Sequence, residues 1–257
     1  MRKRIERKLQ KQIWIIRRTS PDFPNARVSN LPAIVLDRRA GWFTRGRALE
    51  VLAIANPEDA VAPLLELFAD QTDKIELWET ALSFENKGGR AAVPQLIVVL
   101  QNDANPYRRH AAARALGWIP FAGRKAAKAL VHALLDHQQP QPVREEAAES
   151  LAYSSYRPAI PALISVLREA DERIRFWAVF ALGGTGKGSQ IAVDALTRML
   201  TDEAVPAGNW WSVGKEALAM LDKLDPGFHP MFEAEINHVR NDPNASEENI
   251  RWADFYF

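Results

Sequence analysis

Apolar residues recur along this chain at helical spacing, and one ten-residue pattern returns several times. The clearest copies start at Arg108 (RRHAAARALG), Val143 (VREEAAESLA), Ile174 (IRFWAVFALG) and Val213 (VGKEALAMLD). Their fifth residue is Ala112, Ala147, Ala178 or Ala217, and their ninth is Leu116, Leu151, Leu182 or Leu221. Small residues at the fifth and eighth places (Ala112/Ala115, Ala147/Ser150, Ala178/Ala181) let neighbouring helices approach closely, while the leucine fills the layer between them. Alanine and leucine are also the strongest helix formers, so local preference and packing agree. Two weaker copies precede these. TRGRALEVLA from Thr44 keeps Ala48 and Leu52, whereas KIELWETALS from Lys74 keeps Leu82 but has Trp78 where the others have alanine.

Between these phrases lie further apolar segments at helical spacing, over 62–68, 93–100, 126–134, 160–167 and 191–200. Asp70, Asp103 and Asp171 fall in the turns that join the two kinds of helix. The strong copies start 35, 31 and 39 residues apart. Such a period describes one helix pair that buries its apolar face only by stacking on its neighbours. The pattern predicts an all-α, right-handed alpha-alpha superhelix of about six pairs over residues 44–223. The longer loop 201–209 accounts for the 39-residue step.

The flanks read differently. Residues 2–18 predict a basic helix with Ile5, Leu9, Ile13 and Ile16 near one face and Trp14 beside them. Residues 19–43 are expected to be irregular, broken by Pro21, Pro24 and Pro32, with the apolar stretch 31–36 packed on the first pair. Together, 1–43 form an expected N-terminal cap. Residues 224–257 form an expected C-terminal cap, with a helix near 229–239, a short helix starting at Ser246, Glu247 and Glu248, and an aromatic tail at Trp252, Phe255, Tyr256 and Phe257.

Composition changes this picture in three ways. Cysteine is absent, which removes disulfides, thiolate catalysis and thiolate metal sites. No apolar run approaches a bilayer's thickness and no signal-peptide core follows the basic start, so a cytoplasmic protein is expected. The formal net charge of +1 conceals an asymmetry: residues 1–47 hold thirteen Lys/Arg against Glu6, Asp22 and Asp37, leaving +10 there and −9 over the rest. An anionic partner at the basic N-terminal helix is one consequence; the same helix also has an apolar stripe suited to capping the stack.

The second residue of the phrase forms a ladder, Arg109, Arg144 and Arg175, with Gly214 in the last copy. Such arginines could track phosphates or tie adjacent pairs together through turn carboxylates and helix-end carbonyls; the structural role is expected. The third, fourth and seventh places are expected to face outward on the concave side. They read Glu76/Leu77/Thr80, His110/Ala111/Arg114, Glu145/Glu146/Glu149, Phe176/Trp177/Phe180 and Lys215/Glu216/Ala219. Phe176, Trp177 and Phe180 stand out because aromatics are enriched in interface cores. They anchor an external partner, or the loop 201–209, Trp210 or the C-terminal tail covers them. Glu145, Glu146 and Glu149 oppose nucleic acid in the same groove and suit a basic partner, or form a solvated face.

Catalytic signals are missing. The histidines His110, His132, His137, His229 and His238 follow no metal-binding spacing, and no catalytic or metal residue and no cofactor is expected. The stretch 183–188 (GGTGKG) follows a helix and reads as its exit and turn.

These repeats resemble HEAT repeats, especially the short bacterial kind described as PBS-lyase HEAT-like repeats, whose consensus has an Asp/Asn turn, a Val-Arg pair and Ala-Leu-Gly. The likeness is carried by Asn105 with Arg109, Ala112, Leu116 and Gly117, and by Asp171 with Arg175, Ala178, Leu182 and Gly183. Pro140 in place of the turn Asp and Gly214 in place of Arg depart from it. The resemblance implies a fold and a choice of roles: adaptor proteins, lyases that attach bilins to phycobiliproteins, and DNA glycosylases. It carries no catalytic residue. The expected function is a non-catalytic protein-binding or assembly scaffold that anchors a protein partner at Phe176, Trp177 and Phe180, with selectivity from the glutamates and from His110 and Arg114. The alternatives are bilin handling, nucleic-acid binding of the glycosylase kind, and a scaffold acting through curvature alone.

Overall fold

Helix-forming phrases bounded by turn residues become helices throughout the described residues. In the computed structural model of the protein these are residues 2–19, 22–69, 88–119, 122–207, 211–245 and 253. Two compact units divide the chain, Met1–Ala133 and Leu134–Phe257. The second copy from Lys74 with Glu76, Leu77, Trp78, Thr80 and Leu82 lies outside the described residues. So do Asp70, Trp210, Ser246, Glu247, Glu248, Trp252, Phe255, Tyr256 and Phe257.

The first unit holds α1 (Arg2–Thr19), α2 (Leu31–Leu36), α3 (Trp42–Ala55), α4 (Pro57–Ala69), α5 (Gly88–Asn102) and α6 (Pro106–Trp118). Helix α7 (Gly123–Leu135) carries the division between the units. Helices α1 and α2 pack on α3, α3 packs on α4, and α4 packs on both α5 and α6. Leu31, Leu49, Leu52, Leu64, Leu65, Leu96 and Leu100 are fully buried between them. Residues 19–43 are not wholly irregular: α2 forms inside them because Pro32 sits in its first turn, where a missing N–H costs nothing. Leu31, Ile34 and Val35 bury its inner face.

The second unit holds α8 (Gln141–Ala152), α9 (Ile160–Val166), α10 (Glu172–Thr185), α11 (Gln190–Met199), α12 (Val213–Leu224) and α13 (His229–Asn241). The phrase helices α8, α10 and α12 lie side by side, with α10 against both others; α9 packs on α10 and α11 on α12. Fold class and repeat arrangement are therefore all-α, a solenoid-type stacking of helix-turn-helix units. Among the described residues, the fifth-place alanines and ninth-place leucines from Ala48 to Leu221 are at most 2% exposed. No helix among the described residues is long and apolar enough to cross a membrane.

Helix ends follow from the turn residues. Asn105 caps α6 by accepting from the Tyr107 amide, Asp171 caps α10 by accepting from the Arg173 and Ile174 amides, and Ser212 caps α12 through the Lys215 amide. Pro140 supplies no side-chain cap to α8. Gly184 of α10 faces Ala152 at the end of α8, and a Cβ there would press into the Ala152 carbonyl oxygen. Gly46, inside α3, has nothing within 4 Å of where a Cβ would stand.

These two glycines should respond oppositely to alanine. Gly184→Ala is expected to cost about 1–3 kcal/mol through overpacking of α8 on α10. Gly46→Ala is expected to add about 0.5–1 kcal/mol by removing backbone freedom from a helix interior. Urea unfolding midpoints that shift down and up respectively would bear this out; a shared direction would refute the packing account of Gly184.

Candidate functional site

The arginine ladder serves carbonyls without partners where one helix ends and the turn to the next begins. Arg144 Nε donates to the Leu134 carbonyl at 2.8 Å, and its guanidinium grips both carboxylate oxygens of Glu169 at 2.5 and 2.8 Å. Arg175 Nη1 donates to the Glu169 and Ala170 carbonyls at 2.8 and 2.9 Å and its Nε to Asp202 at 2.8 Å. Arg109 Nη1 reaches the Asp103 and Ala104 carbonyls at 2.7 and 3.3 Å. The same device appears once more at Arg45, whose Nε donates to Val35 at 2.8 Å. Its position as second residue of the phrase from Thr44 was the available signal.

Gly214 replaces the arginine for a steric reason. Its amide donates to the Asp202 carbonyl at 2.8 Å, and a Cβ would come within 2.6 Å of the Leu200 carbonyl oxygen. Backbone thus meets backbone where the other repeats insert a guanidinium. The Val213 amide also bonds the Ala204 carbonyl at 2.9 Å, so the start of the long loop is tied to α12.

The third, fourth and seventh places of the phrase are not the outward face that their helical angle suggested. Glu145, Glu146, Phe176, Glu216 and Ala219 are buried, as is Ala111, while Glu149, Trp177, Phe180 and Lys215 are half-buried. In the second unit the cause is lateral packing: α10 has a phrase helix on either side, and the flanks of each helix close over these side chains. His110 and Arg114, both half-buried, belong to α6 in the first unit.

What emerges in the second unit is a row of rings. Tyr153, Phe180, Trp177, Phe176 and Trp211 follow one another at centroid separations of 6.1, 5.8, 5.4 and 6.2 Å. The first three contacts are edge-to-face, the geometry that ring quadrupoles favour. Phe176 is 4% exposed and supports the row from beneath, covered in part by Trp211 from the segment before α12. Tyr153, at the end of α8, is 53% exposed. Sequence reasoning missed Tyr153 and Trp211; Tyr153 stands one helical turn after Glu149, and Trp211 directly precedes the Ser212 cap.

Carboxylates border this row. Glu145 is paired with Arg173 at 2.9 Å, yet burial pushes its carboxyl above the usual range despite that cation. Burial, then the Glu149 and Glu146 carboxylates, push the Tyr153 hydroxyl up to about 12. Glu216 accepts a 2.6 Å hydrogen bond from Trp211 Nε1. Burial raises it to about 7, against the pull of that bond and of Lys223. Lys215 is engaged by Glu235 at 2.8 Å. Among the described residues no group of three or more His, Asp or Glu is placed to hold a metal ion. The arrangement offers ring edges, apolar area and desolvated carboxylates, the materials of recognition.

Glu216 makes stability depend on pH. Its folded value of about 7 lies above its ordinary 4.5, so the folded state binds the proton more tightly between them. Stability from this group is fully present below 4.5 and falls as pH rises towards 7. The shift corresponds to about 3 kcal/mol at most. Glu216→Gln, an isosteric neutral side chain, should raise Tm at pH 8 and flatten that part of the Tm-against-pH curve relative to the unsubstituted protein. An unchanged difference between the two proteins from pH 4.5 to 8 would contradict the assignment.

A family model described as HEAT repeats matches residues 76–152 and 132–211, together more than half of the chain. Among solved structures, an engineered protein is 21% identical, with 79% of this chain and 100% of that one covered and a TM-score of 0.44. The complex of CpcE and CpcF of phycocyanin lyase from Nostoc sp. PCC7120 is 20% identical, with 91% and 94% covered and a TM-score of 0.42. Human deoxyhypusine hydroxylase in complex with glycerol is 21% identical, with 89% and 94% covered and a TM-score of 0.32. No curated protein matches the sequence. With its alanine–leucine phrase, its arginine-capped helix ends and a family match spanning 76–211, the chain belongs to the HEAT repeats.

Proposed function

We propose that the protein is a non-catalytic recognition scaffold, and that its second unit holds a protein partner through the aromatic row on α8, α10 and the segment before α12. The observation that carries this reading is the ring series from Tyr153 to Trp211, in which Trp177 and Phe180 are half-buried and Tyr153 is mostly in water. Rings held by neighbouring rings lose little freedom on binding, which makes them efficient anchors. Phe176 acts as support. The Glu149 and Glu146 carboxylates, which act on the Tyr153 hydroxyl, favour a partner with basic character there over one rich in phosphate.

Bilin handling needs a cation that can meet propionates. The cations described beside the row, Arg173 and Lys215, are engaged by Glu145 and Glu235, which weighs against that reading.

Affinity capture with the unsubstituted protein, followed by titration of the captured partner, tests the proposal. Trp177→Ala with Phe180→Ala should weaken that partner's binding at least about thirtyfold, as loss of central aromatic anchors does, by about 2 kcal/mol or more. Ile191→Ala, at an exposed position on α11, should leave it unchanged. Equal binding by the double variant, with its helical content intact, would overturn the proposal.

A further inference from the structure

Helix α1 presents two faces that the fold uses differently. Ile13 and Ile16 are buried against the first unit, and the Gln12 side chain accepts from Arg47 of α3 at 3.1 Å. Arg17 Nε donates to the Ala26 carbonyl at 2.7 Å, fixing the helix at its far end. The apolar stripe therefore caps the helix pairs behind it, as a terminal element of a stack must.

On the opposite side Arg7, Lys11, Trp14 and Arg18 stand at i, i+4, i+7 and i+11, which places all four within one narrow strip of helix surface. All four are exposed, and the indole of Trp14 is 54% exposed. The Arg18 guanidinium lies over the Trp14 ring, 5.1 Å from its centroid. This strip is the exposed face of a segment, residues 1–47, that carries +10 formal charge.

We infer that this strip is a binding site for single-stranded nucleic acid, with Arg7, Lys11 and Arg18 meeting phosphates and Trp14 stacking on a base. Cations one and two helical turns apart follow a polyanion's backbone, and an exposed indole supplies the base platform that single strands use. An anionic bilayer is the weaker fit. A surface-lying helix holds a membrane by sinking its apolar face among the lipid tails, and here Ile13 and Ile16 are already spent on α3. An acidic peptide would use the cations but offer no base to the indole face that Arg18 does not cover. The site lies in the first unit and stands independently of the aromatic row proposed for protein recognition.

The test uses the full chain and a fluorescein-labelled oligouridylate of about 12 nucleotides, within the range such sites span, read by anisotropy across a salt series. Affinity should fall with salt, with a log–log slope near −2 for about three phosphate contacts. Arg7→Glu with Lys11→Glu should weaken binding at least tenfold and flatten that slope by about 1.4. Trp14→Ala should weaken binding about fivefold or more and leave the slope unchanged, since stacking releases no counterions. Circular dichroism checks that the variants keep their helices, which the untouched Ile13 and Ile16 should ensure; Arg7→Gln with Lys11→Gln is the milder second variant. No oligonucleotide binding at low salt, binding indifferent to these substitutions, or preference for phosphatidylserine vesicles or polyglutamate over the oligonucleotide would each overturn the inference.

Discussion

The close approach of α10 to the phrase helices on either side of it governs the second unit. Ala147 of α8, Ala178 of α10 and Ala217 of α12 are wholly excluded from water, and Gly184 lets α10 come against the Ala152 carbonyl. Helices drawn this close bury their flanks along with their shared seam. Side chains that would be half-exposed on an isolated hairpin become interior, and that is why carboxylates such as Glu145 and Glu216 end inside the unit. Desolvating them is costly, and each has an answer in place: Arg173 for Glu145 and the Trp211 indole for Glu216.

Stacking helix pairs also multiplies helix ends, and each end brings carbonyls that need donors. A guanidinium has several donors in one plane, so a single arginine can serve two carbonyls and a carboxylate together. Arg175 does this with Glu169, Ala170 and Asp202, and Arg144 serves one carbonyl, Leu134, and the Glu169 carboxylate. The positive charge is also well placed against the negative end of a helix dipole. Asp202 then illustrates how one repeat hands its connections to the next. Its carboxylate takes Arg175 from the preceding phrase, and its carbonyl takes the Gly214 amide of the following one. A ladder occupied in this way contributes to cohesion between repeats.

The fold was legible because the same residues encode helix preference and helix contact. Alanine at the fifth place and leucine at the ninth mark the buried seam in every strong copy, and the apolar segments between copies coincide with α5, α7, α9 and α11. The site was legible only in part. Helical period gives the direction in which Phe176, Glu145 and Glu146 point from their own axis. It carries no information on how many neighbouring helices lie in that direction, and lateral burial is set by those neighbours. Gly214 looked like a departure from the repeat, whereas its missing Cβ admits the Leu200 and Asp202 carbonyls. Pro32 read as a breaker because its effect depends on position: in the first turn of α2 it starts a helix.

Trp211 joins the apolar and polar parts of the second unit's face. Its ring lies 6.2 Å from Phe176 while its N–H donates to Glu216, so one side chain closes the end of the aromatic row and satisfies a buried carboxylate. Because Ser212, the next residue, caps α12, the indole cannot move far without loosening the helix start. The row is consequently held from both ends, by Tyr153 at the close of α8 and by Trp211 at the opening of α12. Rings fixed in this manner give a surface whose shape exists before anything binds, and a preformed surface spends little of its contact energy on ordering itself. The same bond makes the geometry of Trp211 sensitive to the charge on Glu216: a carboxylate accepts the indole N–H strongly, whereas a protonated carboxyl is the cheaper group to bury. Packing density and polar satisfaction thus pull the protonation of one residue in opposite directions, and a value between the extremes is the physical outcome of that competition.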